Sequence, residues 1–554
     1  MNLIASAREE ISDLLTRGFS QSFGQPPQCG EIPLGAPKES AHGDLATSLA
    51  LSCAKELGMP PRDVADRLVS SLDLDGSFFS GAEIAGPGFI NLRYSPRFYA
   101  DVLDAVDAGG ENYGHAEQKT GKRVMVEFVS ANPTGPMTIG NARGGVLGDT
   151  LASVLAAAGD EVHREFYLND AGNQVDNFAK SIECRYLEQL GYITEFPEDG
   201  YHGEYISDYA RAYIQEHGAG LVPDSPEDRR KALAAYALPR AVAAMKLDLA
   251  RYRVTFDRWF AESTLHASGF VEDTMRMLTE AGHTYEKDGA LWLRVTGSDG
   301  EKDEVLRKSN GFYTYFAVDL AYHRDKFLKR GFDTVINVLG ADHHGHTLRF
   351  SNCIEALGVE KQRLRFVLMQ MVSLYRDGEV VRMSKRTGKA ITLADLLDEI
   401  PVDAARFFFN MRSPNTKLDF DLELAVKTTS ENPVYYVQYA HARICSLEAA
   451  LSADGGVPSG GDAALLTHDT EKELIRHIAA FPEEILESAK QLEPSRINRY
   501  LTELAGKFHR FYDACRIKDQ EYDLRAARFR LAKATRQVLA NGLKLLGVDA
   551  PVKM

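Results

Sequence analysis

The sequence predicts an α/β protein whose central part is a doubly wound parallel sheet of the Rossmann type. A small α/β domain is expected before this sheet, and an all-α helical bundle after it. The central prediction depends on short apolar runs that alternate with helical stretches over residues 120–395, which is the pattern of a parallel sheet. The bundle is predicted because helical periodicity dominates residues 432–554.

Length and composition agree with a soluble protein of several domains. A chain of 554 residues is too long for one hydrophobic core. Its apolar fraction of 44% and charged fraction of 26% are typical of globular proteins. No apolar run is long enough to span a membrane, and we expect no secretion signal at the start. The net charge of −15 argues against a general DNA coat, but a nucleic-acid partner remains possible through a local basic surface.

The six cysteines are widely separated, and no two of them form a CxxC pair. This spacing supports neither a disulfide framework nor a structural zinc site. Free thiols suit a reducing compartment, so we expect a cytoplasmic protein without structural zinc.

The first domain is expected to cover residues 1–110. Helical periodicity occurs over residues 2–19 and 45–57, and residues 83–92 suggest two short strands around a Pro-Gly turn. Asp44 is a candidate N-cap for the second of these helices.

Residues 124–149 form the stretch with the clearest signal for a ligand. A short apolar strand is followed by a turn with two prolines and a glycine, and then by a glycine-rich helix start. In a parallel sheet, ligands bind beyond the carboxyl ends of strands, and free amides at a helix N-terminus attract phosphate. The glycines either admit a ligand or serve packing alone. Their spacing is neither a GxGxxG nor a Walker motif, so it does not decide between these interpretations.

Three polar clusters follow predicted strands and are expected to face one crevice. They lie at residues 132–141, at Tyr315 to Asp319, and at Asp342 to His346. The histidines of the last cluster are interpreted as contacts to a flat ligand, with metal ligation or simple solvent exposure as alternatives. The other strands are predicted at residues 162–168, 256–260, 291–295, 312–316 and 334–339, with an insertion at about 192–251.

A basic loop follows a predicted hairpin at residues 374–381, which has Asp-Gly at its turn. The loop reads RMSKRTGK, and four cations fall within these eight residues. Mobile cations suit a polyphosphate whose charge shifts during a reaction. Taken alone, such a loop is more often a solvated surface.

These motifs resemble those of a known family. TGPMTIGNARGG and RMSKR resemble the HIGH and KMSKS signatures of class I aminoacyl-tRNA synthetases, and VEFVSANPTGP, FDRWFAEST and INVLGADHHGH are similar to segments of the arginyl-tRNA synthetase family. The resemblance covers essentially the whole chain. Thr138 and Asn141 replace the two histidines of HIGH, and they can donate hydrogen bonds to phosphate but carry no charge. Arg382 and Lys385 take the places of the two lysines of KMSK.

The resemblance implies a two-step reaction. The carboxylate of L-arginine attacks the α-phosphate of ATP, and the arginyl group then passes to the terminal adenosine of tRNA(Arg). Mg²⁺ is expected to enter with ATP, held mostly by phosphates and water. No DNA partner and no membrane are expected, and a monomer is the default state. Family behaviour further implies that tRNA is needed even for activation.

The resemblance also implies roles for individual residues. The expected catalytic residues, which stabilise the developing pyrophosphate charge or contact the phosphates, are Lys385, Arg382, Thr138 and Asn141. The residues expected at ATP are Pro133, Gly135, Pro136, Thr138, Gly140, Asn141, Gly340, Asp342, His343, Met383, Ser384 and Lys385. The residues expected at arginine, whose guanidinium needs acceptors in its plane, are Glu127, Asn132, Tyr315, Asp319 and His343.

A helical connecting segment is expected over residues 396–431, before the last domain at 432–554. This last domain carries many arginines and interleaved aromatic residues, and single-stranded RNA is bound by stacking and phosphate contacts. The resemblance makes it the anticodon-binding domain and the first domain a second tRNA contact. The candidate tRNA-binding residues are Tyr435, Tyr439, Arg443, Arg496 and Arg499.

Three alternatives remain at this point. The chain could be a class I synthetase for another amino acid, or a related nucleotidyltransferase that acts on a small carboxylic acid. It could also be a paralogue that binds tRNA without catalysis, because both HIGH histidines are absent.

Overall fold

The computed structural model describes residues 2–37, 39, 42–295, 303–381, 391–453 and 456–554. The predicted roles of Arg382, Met383, Ser384 and Lys385 therefore fall outside the described residues. Within these ranges, no helix is both long and apolar enough to cross a lipid bilayer. All six cysteines are unpaired.

The N-terminal region is an antiparallel sheet covered by helices, with strand order β1-β2-β4-β3. Its elements are α1 (Leu3–Phe23), β1 (Leu34–Gly35), β2 (Leu45–Thr47), α2 (Leu49–Leu57), α3 (Pro61–Ser70), β3 (Phe79–Ala85), β4 (Phe89–Tyr94) and α4 (Pro96–Gly109). The predicted helix at 45–57 is partly wrong, because residues 45–47 pair with β4 instead. Asp44 is not an N-cap, since its carboxylate accepts from the backbone N–H of Tyr94 at 2.8 Å. The two strands predicted around the Pro-Gly turn are confirmed as β3 and β4.

The central region contains the predicted Rossmann-type sheet. Its strands are β5 (Arg123–Glu127), β6 (Glu161–Leu168), β7 (Arg258–Ala261), β8 (Thr284–Lys287), β9 (Ala290–Leu293), β10 (Glu304–Arg307), β11 (Thr334–Gly340), β12 (Leu364–Met369), β13 (Val372–Arg376) and β14 (Glu379–Val381). Five of them form a parallel sheet in the order β12-β11-β5-β6-β7. The chain reverses its direction of progress across the sheet between β5 and β11, which is where such sheets bind ligands.

The helices of this region cover the sheet. They are α5 (Ile139–Ala157), α6 (Asn173–Gln189), α7 (Glu204–His217), α8 (Pro226–Arg251), α9 (Ser263–Ala267), α10 (Phe270–Glu280), α11 (Tyr315–Arg324), α12 (His344–Cys353) and α13 (Leu393–Glu399). The insertion expected at about 192–251 consists of α7 and α8. These helices share a small apolar core with α6 that includes Phe178, Ile206 and Leu233.

Two strand predictions in the central region need correction. Residues 291–295 do form a strand, β9, but it belongs to a separate antiparallel sheet of β8, β9 and β10. Residues 312–316 are not a strand, because α11 begins at Tyr315 and only Tyr313 makes an isolated bridge, to Arg307. The Asp-Gly hairpin is confirmed as β13 and β14, with φ of 53° at Asp377 and 78° at Gly378.

Residues 437–554 are mostly helical, as predicted, but the connecting segment at 396–431, which the sequence predicts to be helical, includes a strand at Leu418–Asp421 because these residues pair with β13. The elements of the C-terminal region are α14 (Val402–Phe409), β15 (Leu418–Asp421), α15 (Leu422–Val426), α16 (Pro433–Ala453), α17 (Asp469–Ala479), α18 (Phe481–Gln491), α19 (Ser495–Ala514) and α20 (Tyr522–Leu545). Strand β15 pairs in parallel with β13. The first and last regions are in direct contact: the Tyr113 hydroxyl donates to the carbonyl of Ile478 at 3.0 Å, and Asn541 donates to the carbonyl of Tyr113 at 3.0 Å.

Helix α5 is buried along most of its length against strand β5. A Cβ atom on Gly148 would lie 2.2 Å from the ring of Phe128, so this glycine serves packing. In the middle of α5, Asp149 accepts from the buried guanidinium of Arg406 at 2.6 Å. Arg406 also donates to the carbonyls of Tyr252 and Leu546, so one side chain joins three parts of the chain.

A buried ionic network lies under the sheet around Glu165 on β6. Both of its carboxylate oxygens accept from Arg330, at 2.5 and 2.7 Å, and one also accepts from the hydroxyl of Tyr322 at 2.5 Å. Burial alone would raise the pKa of Glu165, but hydrogen bonds from Arg330 and His163 and the charge of Arg330 outweigh it and lower the pKa to about 2. The carboxylate therefore stays ionised in the folded protein.

This network predicts a pH dependence of stability. The folded pKa of Glu165, about 2, lies below the ordinary value of 4.5, so its contribution is complete above pH 4.5 and is lost as the pH falls towards 2. We expect it to reach about 3 kcal/mol of unfolding free energy. In urea unfolding between pH 3 and 7, the difference between the native protein and Glu165→Gln should shrink as the pH falls.

The matched control is Glu280→Gln, since the Glu280 side chain is 73% exposed and should leave the pH profile unchanged. Parallel profiles for the native protein and Glu165→Gln would contradict the assignment.

Candidate active site

A cleft of about 1290 Å³ opens where the parallel sheet reverses, between the carboxyl ends of β5 and β11. Three groups of residues predicted to meet are brought together in it: the turn at 132–141, Asp319 of α11, and Gly340 to His343 after β11. A loop of the insertion, residues 201–205, forms another wall. The single crevice predicted from the sequence is therefore present.

The helix start at this cleft is closed by a capping box. The backbone N–H of Asn141 donates to the hydroxyl of Thr138 at 3.3 Å, and the backbone N–H of Thr138 donates to the side-chain oxygen of Asn141 at 2.9 Å. The Thr138 hydroxyl also donates to that oxygen, at 2.8 Å. These oxygens are thus engaged with each other, whereas Gly140 lies exposed at the first turn of α5. The donors that remain for a ligand at the cleft are the backbone N–H groups of this turn.

The backbone before the turn is strained. Val129 and Ser130 have φ angles of 66° and 41°, a region that non-glycine residues, β-branched ones above all, rarely adopt. Such a residue costs about 1–3 kcal/mol and persists only where its surroundings hold it. Here the Ser130 hydroxyl donates to Glu127 at 3.1 Å and accepts from the backbone N–H of Tyr167 at 3.1 Å. This strain has no signature in the local sequence.

The turn itself presents Asn132, Gly135 and Pro136 to the cleft, while Pro133 is buried behind them. The insertion contacts this turn directly: the Tyr205 hydroxyl donates to the carbonyl of Thr134 at 2.8 Å. This contact joins sequence positions too far apart to be inferred from the motif.

One carboxylate, Asp319, lines the cleft, and a second, Glu262, is hydrogen-bonded to the lining residue Tyr167. Asp319 contacts Nε2 of His346 at 3.2 Å, and Glu262, just after β7, accepts from the hydroxyl of Tyr167 at 2.7 Å. Burial raises the pKa of Glu262, and the charge of Asp319 adds to the rise, while Tyr167 and His266 oppose it. Glu262 was not among the predicted site residues, although it follows a strand of the parallel sheet.

A third carboxylate, Glu127 at the end of β5, already has a cationic partner. Its Oε2 lies 2.5 Å from Nζ of Lys326, a side chain with no solvent exposure. Lys326 belongs to a π-helical turn, Asp325–Lys329, that continues α11, and such turns are frequent at functional sites. Glu127 lines the cleft, but its charge is balanced.

The histidine cluster divides into two parts. Asp342 and His343 are exposed and line the cleft, and 3.7 Å separates the Nε2 of His343 from Oδ2 of Asp342. His346 is half-buried, and it also lines the cleft, where it contacts Asp319. Tyr315 is 64% exposed and lies outside the cleft lining, with its ring 5.6 Å from that of His346. No group of three or more His, Cys, Asp or Glu residues that could hold a metal occurs among the residues described above.

Arg143, in the second turn of α5, was also missed. Its side chain is buried, and it donates to the carbonyls of Gln370 at 2.6 Å, Ser413 at 3.1 Å and Thr416 at 3.0 Å. Burial lowers its pKa to about 10, so the guanidinium remains charged at neutral pH. It holds the segments before β13 and β15 against α5.

The candidate tRNA-binding residues lie on α16 and α19. The rings of Tyr435 and Tyr439 are stacked with centroids 6.1 Å apart, and Tyr439 is 42% exposed. Arg443 lies over the ring of Tyr512 at 4.1 Å. Arg499 is exposed. Arg496, in contrast, is 19% exposed and pairs with Glu484.

The position of Arg143 predicts a local loss of stability on substitution. Arg143→Met keeps most of the volume but leaves three partly buried carbonyls without their donor, so we expect a loss of about 2–4 kcal/mol of unfolding free energy. Hydrogen exchange should become faster at residues 370–374 and 413–418, measured by mass spectrometry. Arg143→Lys, which keeps the charge and part of the bonding, is the matched control. Unchanged exchange in these two segments would contradict the role.

Three family models match successive parts of the chain. The arginyl tRNA synthetase N terminal domain matches residues 2–94, the class I (R) tRNA synthetase catalytic domain matches residues 104–444, and the DALR anticodon binding domain matches residues 437–554. The catalytic model alone covers more than half of the chain.

Full-length relatives agree with these matches. The chain is 48% identical over 562 residues to the arginine–tRNA ligase of Acetivibrio thermocellus, and 49% identical over 561 residues to that of Caldanaerobacter subterraneus subsp. tengcongensis, with all of both chains covered in each case. The Thermus thermophilus arginyl-tRNA synthetase has the same fold, with a TM-score of 0.75 at 21% identity over 99% of this chain and all of that one. The chain therefore belongs to the arginyl-tRNA synthetase family of class I aminoacyl-tRNA synthetases.

Proposed function

We propose that the cleft ligates L-arginine to tRNA(Arg) in two steps. A carboxylate oxygen of arginine attacks the α-phosphorus of ATP, the bond to the β-phosphate oxygen breaks, and pyrophosphate leaves. A ribose hydroxyl of the terminal adenosine then attacks the arginyl carbonyl carbon, and AMP leaves. The supporting observation is that one cleft joins a helix N-terminus, suited to phosphate, with the carboxylate of Asp319, which has no Lys or Arg partner among the described residues and is suited to a guanidinium.

The guanidinium is assigned to Asp319 and Glu262. A guanidinium is planar and has five donors, which paired carboxylates can accept in its plane. Within the described chain, neither of the two has a Lys or Arg partner, and their neighbours are the weakly basic His346 and His266. Lysine lacks the planar fork and would leave an acceptor unpaired in this pocket, so it should be rejected strongly.

The other end of arginine is assigned to Asn132 and Glu127. Asn132 lines the cleft beside the phosphate-binding turn, where its amide can bind the α-amino or carboxylate group. Because the charge of Glu127 is balanced by Lys326, Glu127 orients the substrate and adds little net negative charge to the pocket. The contact of Tyr315 with arginine remains a prediction. It requires that the bound substrate cover this exposed side chain.

The nucleotide is assigned to the turn, the first turn of α5, and the residues after β11. Gly135, Pro136, Gly140, Asn141, Gly340 and His343 all line this part of the cleft. The backbone amides of α5 take the role that charged histidines have in the HIGH motif, and Thr138 and Asn141 hold that turn in shape. Pro133 contributes from behind, since it is buried.

Charge stabilisation at pyrophosphate is assigned to Lys385, with Arg382 beside it and Met383 and Ser384 in the same loop. In phosphoryl chemistry of this kind, positioning and charge stabilisation supply most of the rate. Mg²⁺ accompanies ATP and is held mainly by phosphates and water. The exposed carboxylate of Asp342 is the cleft residue that fits it through water.

We further propose the division of labour between domains. Residues 1–110 contact tRNA, residues 120–395 catalyse, residues 396–431 connect, and residues 432–554 bind the anticodon through Tyr435, Tyr439, Arg443 and Arg499. Arg496 has a structural role first, because its guanidinium is bound to Glu484. The protein is proposed to act as a monomer in the cytoplasm.

The function is tested by ATP–pyrophosphate exchange and tRNA charging with each amino acid, with and without tRNA(Arg). We expect exchange and charging with arginine and neither with lysine, because the pocket requires a planar donor group. Exchange with lysine and not with arginine would contradict the assignment. Binding of tRNA without any exchange would favour a paralogue that has lost catalysis.

The pocket is tested by Asp319→Asn. The loss of one carboxylate from the guanidinium should lower kcat/KM for arginine by about 100-fold or more, chiefly through KM, while KM for ATP changes little. The matched control is Asp208→Asn on α7, whose side chain is 53% exposed. Equal effects on the KM values of arginine and ATP would mean that Asp319 does not contact arginine.

A further inference from the structure

The turn of residues 131–136, between β5 and α5, is fixed chiefly at its two ends. Before it, the hydroxyl of Ser130 donates to Glu127 at 3.1 Å. After it, the carbonyl of Met137 accepts from the backbone N–H of Leu393 at 2.8 Å, and the capping box of α5 follows. Two of the six residues in the turn are prolines, which have no N–H to donate. The middle of the turn therefore depends on contacts from other parts of the chain.

One side chain of the insertion bonds to the middle of this turn. The hydroxyl of Tyr205 donates to the carbonyl of Thr134 at 2.8 Å, and Thr134 is buried. Among the residues that the structure describes, no other hydrogen bond involves residues 131–136. Burial, and after it the nearby Tyr201 and Tyr209, raise the pKa of Tyr205 to about 12. The hydroxyl therefore keeps its proton and remains a donor at neutral pH.

The ring of Tyr205 is itself held by the insertion. It packs edge-on against the ring of Tyr209, with centroids 6.4 Å apart and an angle of 81° between the planes. Tyr209 packs in the same way on the buried Phe178 of α6. A Cβ atom on Gly203, the residue before α7, would lie 2.0 Å from the Tyr205 ring, so a side chain there would displace it. The apolar core of the insertion thus fixes the position of the hydroxyl.

The same turn serves both substrates of the proposed reaction. Asn132 lines the cleft where we assign arginine, and Gly135 and Pro136 line it where we assign ATP. When a binding segment is ordered in only a fraction of the molecules, the apparent affinity of its ligands falls by that fraction. A hydrogen bond that orders the middle of the turn before binding removes this cost for both substrates.

We propose that Tyr205 is a positioning residue, which holds residues 131–136 in their binding shape through the carbonyl of Thr134. The insertion thereby acts on arginine and ATP through the turn. This inference rests on the proposed function, since it needs both substrates to bind at this turn. A bond that only attached the insertion to the catalytic region would affect stability and leave substrate binding unchanged.

The test is Tyr205→Phe, which removes the hydroxyl and keeps the ring. Binding of arginine to the protein with tRNA(Arg) is measured by calorimetry, with and without saturating α,β-methylene ATP, an analogue in which the bond between the α- and β-phosphates cannot be cleaved. One neutral hydrogen bond corresponds to a factor of about 3–10 in an equilibrium constant. We therefore expect the Kd of arginine without the analogue to rise by this factor.

With the analogue bound, the Kd of arginine should change by less than about twofold, because the first ligand has already ordered the turn. Titration of the analogue with and without arginine should give the same ratio, since coupling between two ligands is reciprocal. An unchanged Kd of arginine without the analogue would overturn the proposal. An increase that persists at saturating analogue would also overturn it, because the hydroxyl would then contact arginine directly.

The matched control is Tyr209→Phe. It removes a hydroxyl from the neighbouring ring on α7 and leaves the bond between Tyr205 and Thr134 in place, so both Kd values should stay at those of the native protein. Urea unfolding of each variant establishes that it is folded under the conditions of the titrations.

Gly135→Ala tests the same contact from the side of the turn. A Cβ atom on Gly135 would lie 3.0 Å from the hydroxyl oxygen of Tyr205 and 3.5 Å from Cζ, the ring carbon that bears it. Gly135→Ala therefore crowds the hydroxyl in the native protein but meets only ordinary contact in Tyr205→Phe. The effects of the two substitutions on the Kd of arginine should be less than multiplicative, and multiplicative effects would contradict the proposal. If Tyr205→Phe does not fold, Gly135→Ala alone should raise this Kd, and an unchanged value would count against the role of Tyr205.

Charging by the unmodified protein separates this inference from the proposed function. If the native protein does not charge tRNA(Arg) with arginine, the proposed function fails. If it does, and Tyr205→Phe binds arginine and the analogue as the native protein does, only the role of Tyr205 fails.

Discussion

Burial of helix α5 is the constraint on which the rest of the structure depends. A helix enclosed on most sides must have its polar side chains hydrogen-bonded, since an unpaired buried group costs about 1–3 kcal/mol, and more when it is charged. Arg143 binds three carbonyls of two other segments, Asp149 binds Arg406, and Thr150 accepts from Asn410 at 2.7 Å. These bonds fix several segments of the chain to α5. The start of α5 lines the cleft at the end to which we assign phosphate, so the site is held by the same contacts that close the core.

The carboxylates of the catalytic region fall into two groups. Glu127 and Glu165 are buried and pair with Lys326 and Arg330. They therefore stabilise the fold and contribute almost no net charge. Among the described residues, the side-chain partners of Asp319 and Glu262 are histidines and a tyrosine. A cationic substrate is therefore attracted to one end of the cleft and not to the sheet as a whole. The same domain can therefore contain neutralised carboxylates in its interior, Glu127 and Glu165, and carboxylates without a Lys or Arg partner among the described residues, Asp319 and Glu262.

The sequence predicted those parts of the fold that depend on local pattern. Apolar runs followed by polar turns located the strands of the parallel sheet, and their order along the chain was enough to predict one crevice. The assignment of residues 312–316 to a strand was wrong, because aromatic residues favour strands locally but Thr314 caps a helix here. The roles of Arg143, Lys326 and Tyr205 could not be predicted, since each depends on a partner more than ten residues away in the chain. The capping box of Thr138 and Asn141 depends on a local spacing of three residues, so it is accessible to sequence analysis, whereas its role at phosphate is implied only by the resemblance.

The contacts of Arg406 have a consequence for biosynthesis. Its guanidinium is buried against Asp149, against the loop after α8, and against the carbonyl of Leu546, with Gly547 so close that a Cβ there would lie 2.3 Å from it. During translation, the first two partners leave the ribosome long before the last one. Until Leu546 has been synthesised, the Arg406 guanidinium at the centre of the catalytic region therefore lacks one of its hydrogen-bond acceptors. Chaperone capture of stalled chains should accordingly be strongest between the emergence of α14 and that of α20.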